Sequence, residues 1–224
     1  MERQRQRQSL GRKDGDVVMF DSGISAADLI ADIITEADVA YPITNRSYVG
    51  WLTALEQLIY SEIIKEQRCL TIDRADISSN EIDLAAADVP NGHAKPRFED
   101  IYTVFVGDRQ LIKTNLTSGA TFPDVYYKIN GNLGFNSPYA RSYGMKIMYF
   151  VRPEVKTVSE NDEIDSKNVM LPPEFLDIAR AKLRGEAYKI ANEDVLAAKW
   201  LSDYNVLLET FKQWIKQRQA AFAM

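Results

Sequence analysis

The stretch NVMLPPEFLDIARAKL, Asn168 to Leu183, decides how the chain is divided. Two prolines stand between a β-rich run and a helical tail. Pro173 suits the first position of a helix, where a missing N–H costs nothing and the fixed φ already fits, while Pro172 pushes Leu171 into an extended conformation. Glu174 and Asp177 then fall near the positive end of the helix dipole. From there Phe175, Leu176, Ala179, Leu183, Ala187 and Ile190 follow helical spacing along one face. Gly185 lies inside this run, and an interior glycine costs about 1 kcal/mol relative to alanine. It marks either a close backbone approach or a tolerated cost.

Towards the carboxyl end, ANEDV (191–195) breaks the stripe. Asn192 suits a cap, Glu193 and Asp194 suit a first turn, and the apolar pattern resumes in a new phase, so a bend or a tight helix–helix turn is expected. Trp200, Tyr204, Leu207, Phe211 and Trp214 then recur at 4, 3, 4, 3 spacing, the heaviest apolar surface in the chain. Such a seam packs against another helix, of the same chain or of a neighbouring subunit. Lys212, Lys216 and Arg218 sit at the negative end of this last helix.

Towards the amino end, VKTVSENDEIDSKN (155–168) reads as a polar, acidic, solvated connector. It has no Gly for the sharp turn of a calcium loop. Before it, short β-prone runs alternate with turn residues. DIYTVFV and RQLIKTN flank Gly107-Asp108, VYYKI and LGFN flank Asn130-Gly131-Asn132, and GMKIMYFVRP stops at Pro153; both linkers supply residues that tolerate φ > 0. Ahead of these runs, Tyr48, Leu52, Leu55, Ile59 and Ile63 follow a 3, 4 spacing in a helix capped by Asn45. Leu29, Ile30, Ile33 and Ile34 do so in one capped by Ser25. Residues 1–20 alternate Arg and Gln with little to bury and read as a mobile arm.

These readings give a flexible basic arm (1–20), N-terminal helices (21–68), an inserted β-rich region (69–153), an acidic connector (154–171) and C-terminal helices (172–224). The fold class is α+β, a helical core built from both ends of the chain with an inserted antiparallel β meander or small barrel. Its 224 residues suffice for one substantial core. Net charge is −5, from 27 basic and 32 acidic residues, so the body has no overall pull towards nucleic acid. A conduit through which DNA slides would also avoid a basic lining. No apolar run approaches the roughly 20 residues that span a bilayer. The amino terminus lacks the apolar region of a secretory signal, so the chain is expected to stay in the cytoplasm where it is made. Cys69 is the only cysteine, which excludes an intrachain disulfide framework and a cysteine-rich zinc site.

Chemistry is sparse. His93 is the only histidine and sits in PNGHAKP, which reads as an exposed loop. No nucleophile in a recognisable turn accompanies it, and no GxxxxGK[ST] or GxGxxG run occurs. Asp73 with Asp76, or Glu99 with Asp100, are carboxylate pairs of the kind that cleave glycans, but local spacing says nothing of their separation across a cleft. No catalytic residue, cofactor or metal is therefore assigned.

YPITNRSYVGWLTALEQLIYSEI, MYFVRPEV and LPPEFLDIARAKLRGEAYKIANEDVLAAKWLSDYNVLLETFKQW together resemble the head-to-tail adaptors of tailed bacteriophages, also called connector or head-completion proteins. The likeness is an order of parts over about 41–70 and 145–215. An early long helix begins near a Trp, a β-rich insertion ends in an aromatic strand, and a Leu-Pro entry leads into two helices with an aromatic seam. It implies a structural, non-enzymatic virion subunit at the neck, forming a ring with copies of itself, a dodecamer by the habit of that family. The ring would dock on the portal protein, meet a downstream tail or nozzle protein, and continue the channel for double-stranded DNA without sequence recognition or membrane. Ring assembly needs side-to-side contacts between unlike faces, and aromatic residues commonly anchor them. Trp200, Tyr204, Phe211, Trp214 and Phe222, the last in the tail QRQAAFAM, are the candidate subunit or portal contacts. Two other readings stay open: a lytic or glycan-cleaving accessory enzyme using paired carboxylates, and another tail ring protein such as a tail terminator.

Overall fold

The first two helices form where caps and stripes direct them. The computed structural model describes residues 20–37, 42–89, 93–115 and 122–222. Helix α1 (Ala26–Ala37) starts after Ser25, whose hydroxyl accepts the Asp28 amide proton at 3.0 Å, satisfying a donor that the first turn leaves free. Leu29, Ile30 and Ile33 are buried, while Ile34, expected on the same stripe, is 44% exposed. Helix α2 (Asn45–Leu58) is capped one residue earlier than expected, by Thr44, whose side chain accepts from the Ser47 amide. Asn45 instead donates its side-chain amide to the Asp162 carbonyl at 2.8 Å. The helix then continues as a π-helical turn (Ile59–Ile64) and ends at left-handed Lys65, φ 50°. The wider turn shifts the phase. Tyr60 and Ile64 join Ile59 inside, and Ile63 is only partly covered.

Among the described residues the inserted region holds two four-stranded sheets. Strand β1 (Gln67–Ile72) pairs antiparallel with β8 (Met145–Phe150), which pairs with β3 (Ile101–Val106), which in turn pairs with β4 (Arg109–Gln110). The second sheet runs β2 (Glu81–Ile82), β7 (Asn132–Asn136), β6 (Val125–Ile129), β5 (Ile112–Lys113), with β5 parallel to β6. The Asn130-Gly131 turn has positive φ at both residues, 49° and 87°, the geometry that suits a tight hairpin. RQLIKTN does not continue as one strand. Its Leu111 amide bonds back to Val104 of β3 at 2.8 Å, whereas the next amide, of Ile112, bonds to Asp124 beside β6 at 2.9 Å. Helix α3 (Ala140–Tyr143) is a single turn before β8.

The acidic connector is more than a solvated loop. Val158 and Ile164 form a bridge, while Val169, Met170 and Leu171 are buried. Residues 22–26 pair with 167–169 through Ser22 to Val169, Val169 to Ile24 and Ala26 to Lys167. Phe20, assigned above to the mobile arm, is 3% exposed and belongs to the core, because its ring packs on Phe211 and Trp214; the rest of the arm lies outside the described residues. Lys156 extends from the connector into the interior and pairs with Glu56 of α2, both side chains 1% exposed. The other Glu56 oxygen accepts the Met170 amide proton at 2.8 Å. Burial raises the Glu56 pKa, and the Lys156 ammonium and the Met170 amide pull it back.

The prolines open a short 3₁₀ turn (Pro173–Phe175) that leads into α4 (Leu176–Ile190). Helix α4 is covered on more than the expected face, since Ile178, Ala181 and Gly185 are buried too, whereas Ile190 is 42% exposed. Its end is a Schellman turn. The Glu193 amide bonds to Tyr188 at 2.9 Å, the Asn192 amide bonds to Lys189 at 3.3 Å, and Asn192 has φ 61°. Asn192 therefore closes α4, and Glu193 precedes α5 (Asp194–Phe222), which doubles back along α4. A side chain at Gly185 would place its Cβ 2.7 Å from Leu201 Cδ2 and 3.3 Å from the Leu201 amide nitrogen. The glycine marks a close approach. Residues of each of the helices α1 to α5 and of both sheets belong to one hydrophobic core.

Two outcomes are expected. Glu56→Ala strands a buried ammonium and should lower stability by about 3–5 kcal/mol, measured by urea unfolding, with Glu56→Leu/Lys156→Met recovering most of it. Gly185→Ala should lower stability by about 1–3 kcal/mol despite alanine's better helix propensity, read as a fall in Tm.

Candidate functional site

Helix α5 decides which parts of the aromatic seam are available to a partner. Phe211 is fully buried and Tyr204 is 8% exposed, so neither can anchor a partner without leaving the core. Phe211 lies with Phe20, Phe175 and Trp214 in one cluster, its centroid 4.8 Å from Phe175 and 5.9 Å from Trp214. Trp214 is half-buried there, with the Arg218 guanidinium 5.1 Å from its ring. The lower half of α5 is also tied to the π-turn, where Gln219 donates to the Ile64 carbonyl at 3.2 Å. Burial raises the Tyr204 pKa, and Lys182, 5.2 Å from the ring, opposes the shift. The Phe222 side chain lies outside the described residues.

Trp200 and Leu207 are the partly exposed seam residues beside a groove. Trp200 is half-buried, with the Arg184 guanidinium 4.7 Å and the Lys199 ammonium 5.5 Å from its ring, a pairing that holds the cations against the indole. Arg184 also pairs with Glu36 of α1. Between α4 and α5 runs a groove of about 460 Å³ with Ala181, Trp200, Val206 and Leu207 as its apolar part and Arg180 paired to Asp177 at its rim. Val206 is 65% exposed, and Val195, near the hairpin turn, is 84% exposed with Leu196 beside it. The periodicity of α5 pointed to Trp200 but not to Val195 or Val206, which lie off the stripe.

The possible chemical groups are scattered. Asp73 and Asp76 are exposed around a 3₁₀ turn after β1. Glu99 pairs with Lys128, whose hydrogen bond lowers its pKa, while Asp100 accepts from Arg152 at 2.8 Å. Each of the latter two carboxylates thus has its own cation. Among the described residues no group of three His, Cys, Asp or Glu side chains is placed to hold a metal, and no helix is long and apolar enough to cross a membrane.

His93 is not the exposed loop residue expected from its neighbours. It is 5% exposed because residues 93–94 pair with the backbone at 152–153, which draws the ring against the edge of Tyr60. Burial, with a smaller contribution from Arg68, lowers its pKa from 6.5 to about 4. No protein-family model matches the chain. No curated protein matches it either.

A buried neutral imidazole ties stability to pH. The unfolded chain takes up the His93 proton first, so this contribution is complete above about pH 6.5 and is lost as pH falls towards about 4. The loss should reach up to about 3 kcal/mol. Urea midpoints compared at pH 7 and 4.5 should fall less in His93→Leu than in the parent.

Proposed function

We propose that the chain is a structural head-to-tail adaptor of a tailed bacteriophage. Copies form a dodecameric ring between the portal and a downstream tail or nozzle protein at the virion neck, after synthesis in the host cytoplasm. Packaged double-stranded DNA passes through the ring without being read. The observation that carries this reading is the α4–α5 hairpin. Its long second helix is anchored along its inner face, yet it presents Val206, Val195 and the rim of Trp200 outward beside a groove.

An anchored helix with outward apolar side chains suits the heterologous contacts a ring requires. Aromatic and arginine side chains at such a groove suit an interface anchor. The net charge of −5 permits a channel in which DNA does not stick. The glycan-cleaving alternative is less well served, since Glu99 and Asp100 are each paired to a cation and Asp73 and Asp76 are exposed.

Mixing the full chain with its cognate portal and imaging the product by electron microscopy tests the proposal. Rings stacked on the portal are expected, with Val206→Asp cutting occupancy at least about tenfold, a loss of roughly 1.4 kcal/mol per contact set, while the circular dichroism spectrum is unchanged. Absence of stacked rings with the parent chain, or cell-wall turnover abolished by a single Asp or Glu substitution, overturns it.

A further inference from the structure

A ring contact needs two unlike faces, and the hairpin supplies one. Along the solvent side of α5, Val195, Ala198, Ser202, Val206, Thr210 and Gln213 recur at 3, 4, 4, 4, 3 spacing, all exposed and none charged. The outward face of a helix in water is ordinarily its charged one. Here the charges stand to the sides, Lys199 and Asp203 among them.

The second face lies on α2. Gly50 sits in the middle of that helix, where glycine is less favourable than alanine. Gly185 has a reason inside the chain, the approach of Leu201, but a Cβ at Gly50 would meet nothing within 4 Å. Glycine serves where another backbone comes close, and nothing among the described residues comes close to Gly50. Ala54 and Leu58 follow it on the same exposed side, and Leu58 is 44% exposed. Gly50 and Ala54 line a groove of about 300 Å³ whose other side is Val155 of the connector, itself 39% exposed.

Charge matches the two faces. Arg46 is the only exposed charge of α2, one turn before Gly50, and has no carboxylate partner among the described residues. Asp203 lies one turn before Val206 and has no cation partner among them either. If α2 and α5 run the same way, Val206 seats over the Gly50–Ala54 step and Asp203 comes opposite Arg46. Both faces are exposed in the subunit and α4 packs on both helices, so the faces meet only between copies.

We propose that the Gly50–Ala54 face of α2 receives the outward face of α5 from a neighbouring copy of this chain, with Val206 in the groove and Asp203 against Arg46. The proposal rests on the ring reading above and adds to it the unlike face that the hairpin meets.

Two chains, Ala54→Cys and Val206→Cys, each also Cys69→Ser so that it carries a single thiol, are mixed on the cognate portal and treated with a short bis-maleimide. Covalent dimers are expected from the mixture and none from either chain alone. Gly50→Leu should melt at or above the parent Tm, because its side chain enters open space and leucine favours helix, yet its ring occupancy on the portal should fall at least about tenfold. Four results overturn the contact while stacked rings keep the ring reading standing: no link in the mixture, a link in either chain alone, Gly50→Leu rings at the parent's occupancy, or a Gly50→Leu chain that melts below the parent. A parent chain that forms no rings on the portal removes the ring reading, and this contact with it.

Discussion

The interaction on which the rest depends is the buried contact of Glu56 with Lys156 and the Met170 amide. Three segments distant in sequence meet at one carboxylate: the last turn of α2, the start of the connector, and the last residues before the proline entry to α4. A buried ion pair is a poor source of stability, because desolvation opposes the Coulomb gain. It is, however, demanding about position. A carboxylate with no solvent access costs least when both oxygens are satisfied, and here one takes the ammonium and the other the backbone. That requirement fixes where the connector re-enters the helical layer, and so where Pro172 and Pro173 begin the hairpin.

Once α4 is placed, α5 follows from two short-range features. The Schellman turn reverses the chain within three residues, and Gly185 lets Leu201 come close enough for the helices to pack backbone against side chain. Beyond the start of α4, α5 continues onto Phe175, Phe20 and the π-turn. The aromatic cluster there joins a residue from the amino end of the core to the carboxyl-terminal helix. The interior of α5 is thereby used up in folding, and what remains for a partner is its flank.

Much of this was legible in the residues. Ser25 as a cap, the prolines as an entry, the ANEDV reversal and the β hairpins on either side of Gly107 and Asn130 are local signals, each fixed by backbone chemistry within a few positions. The misses are non-local. Nothing near Glu56 announces that its partner lies 100 residues away at Lys156. The π-turn cannot be read from a 3, 4 pattern, because one extra residue per turn moves Tyr60 and Ile64 inward while leaving the sequence helical. Ile34 and Ile190 fit their stripes but are left 44% and 42% exposed among the described residues. His93 looked exposed because its neighbours are turn residues, whereas the pairing of residues 93–94 with 152–153 holds its ring against Tyr60. The seam of α5 was visible, but periodicity does not distinguish packing inside a chain from packing between chains.

The change of sheet at Leu111 has a mechanical consequence. Successive amides of one short segment belong to different sheets, and the Leu111 side chain is buried at the crossing. The two layers are thus joined by one covalent step as well as by the core they share. Drawing them apart would break a backbone hydrogen bond on one side of that step or the other.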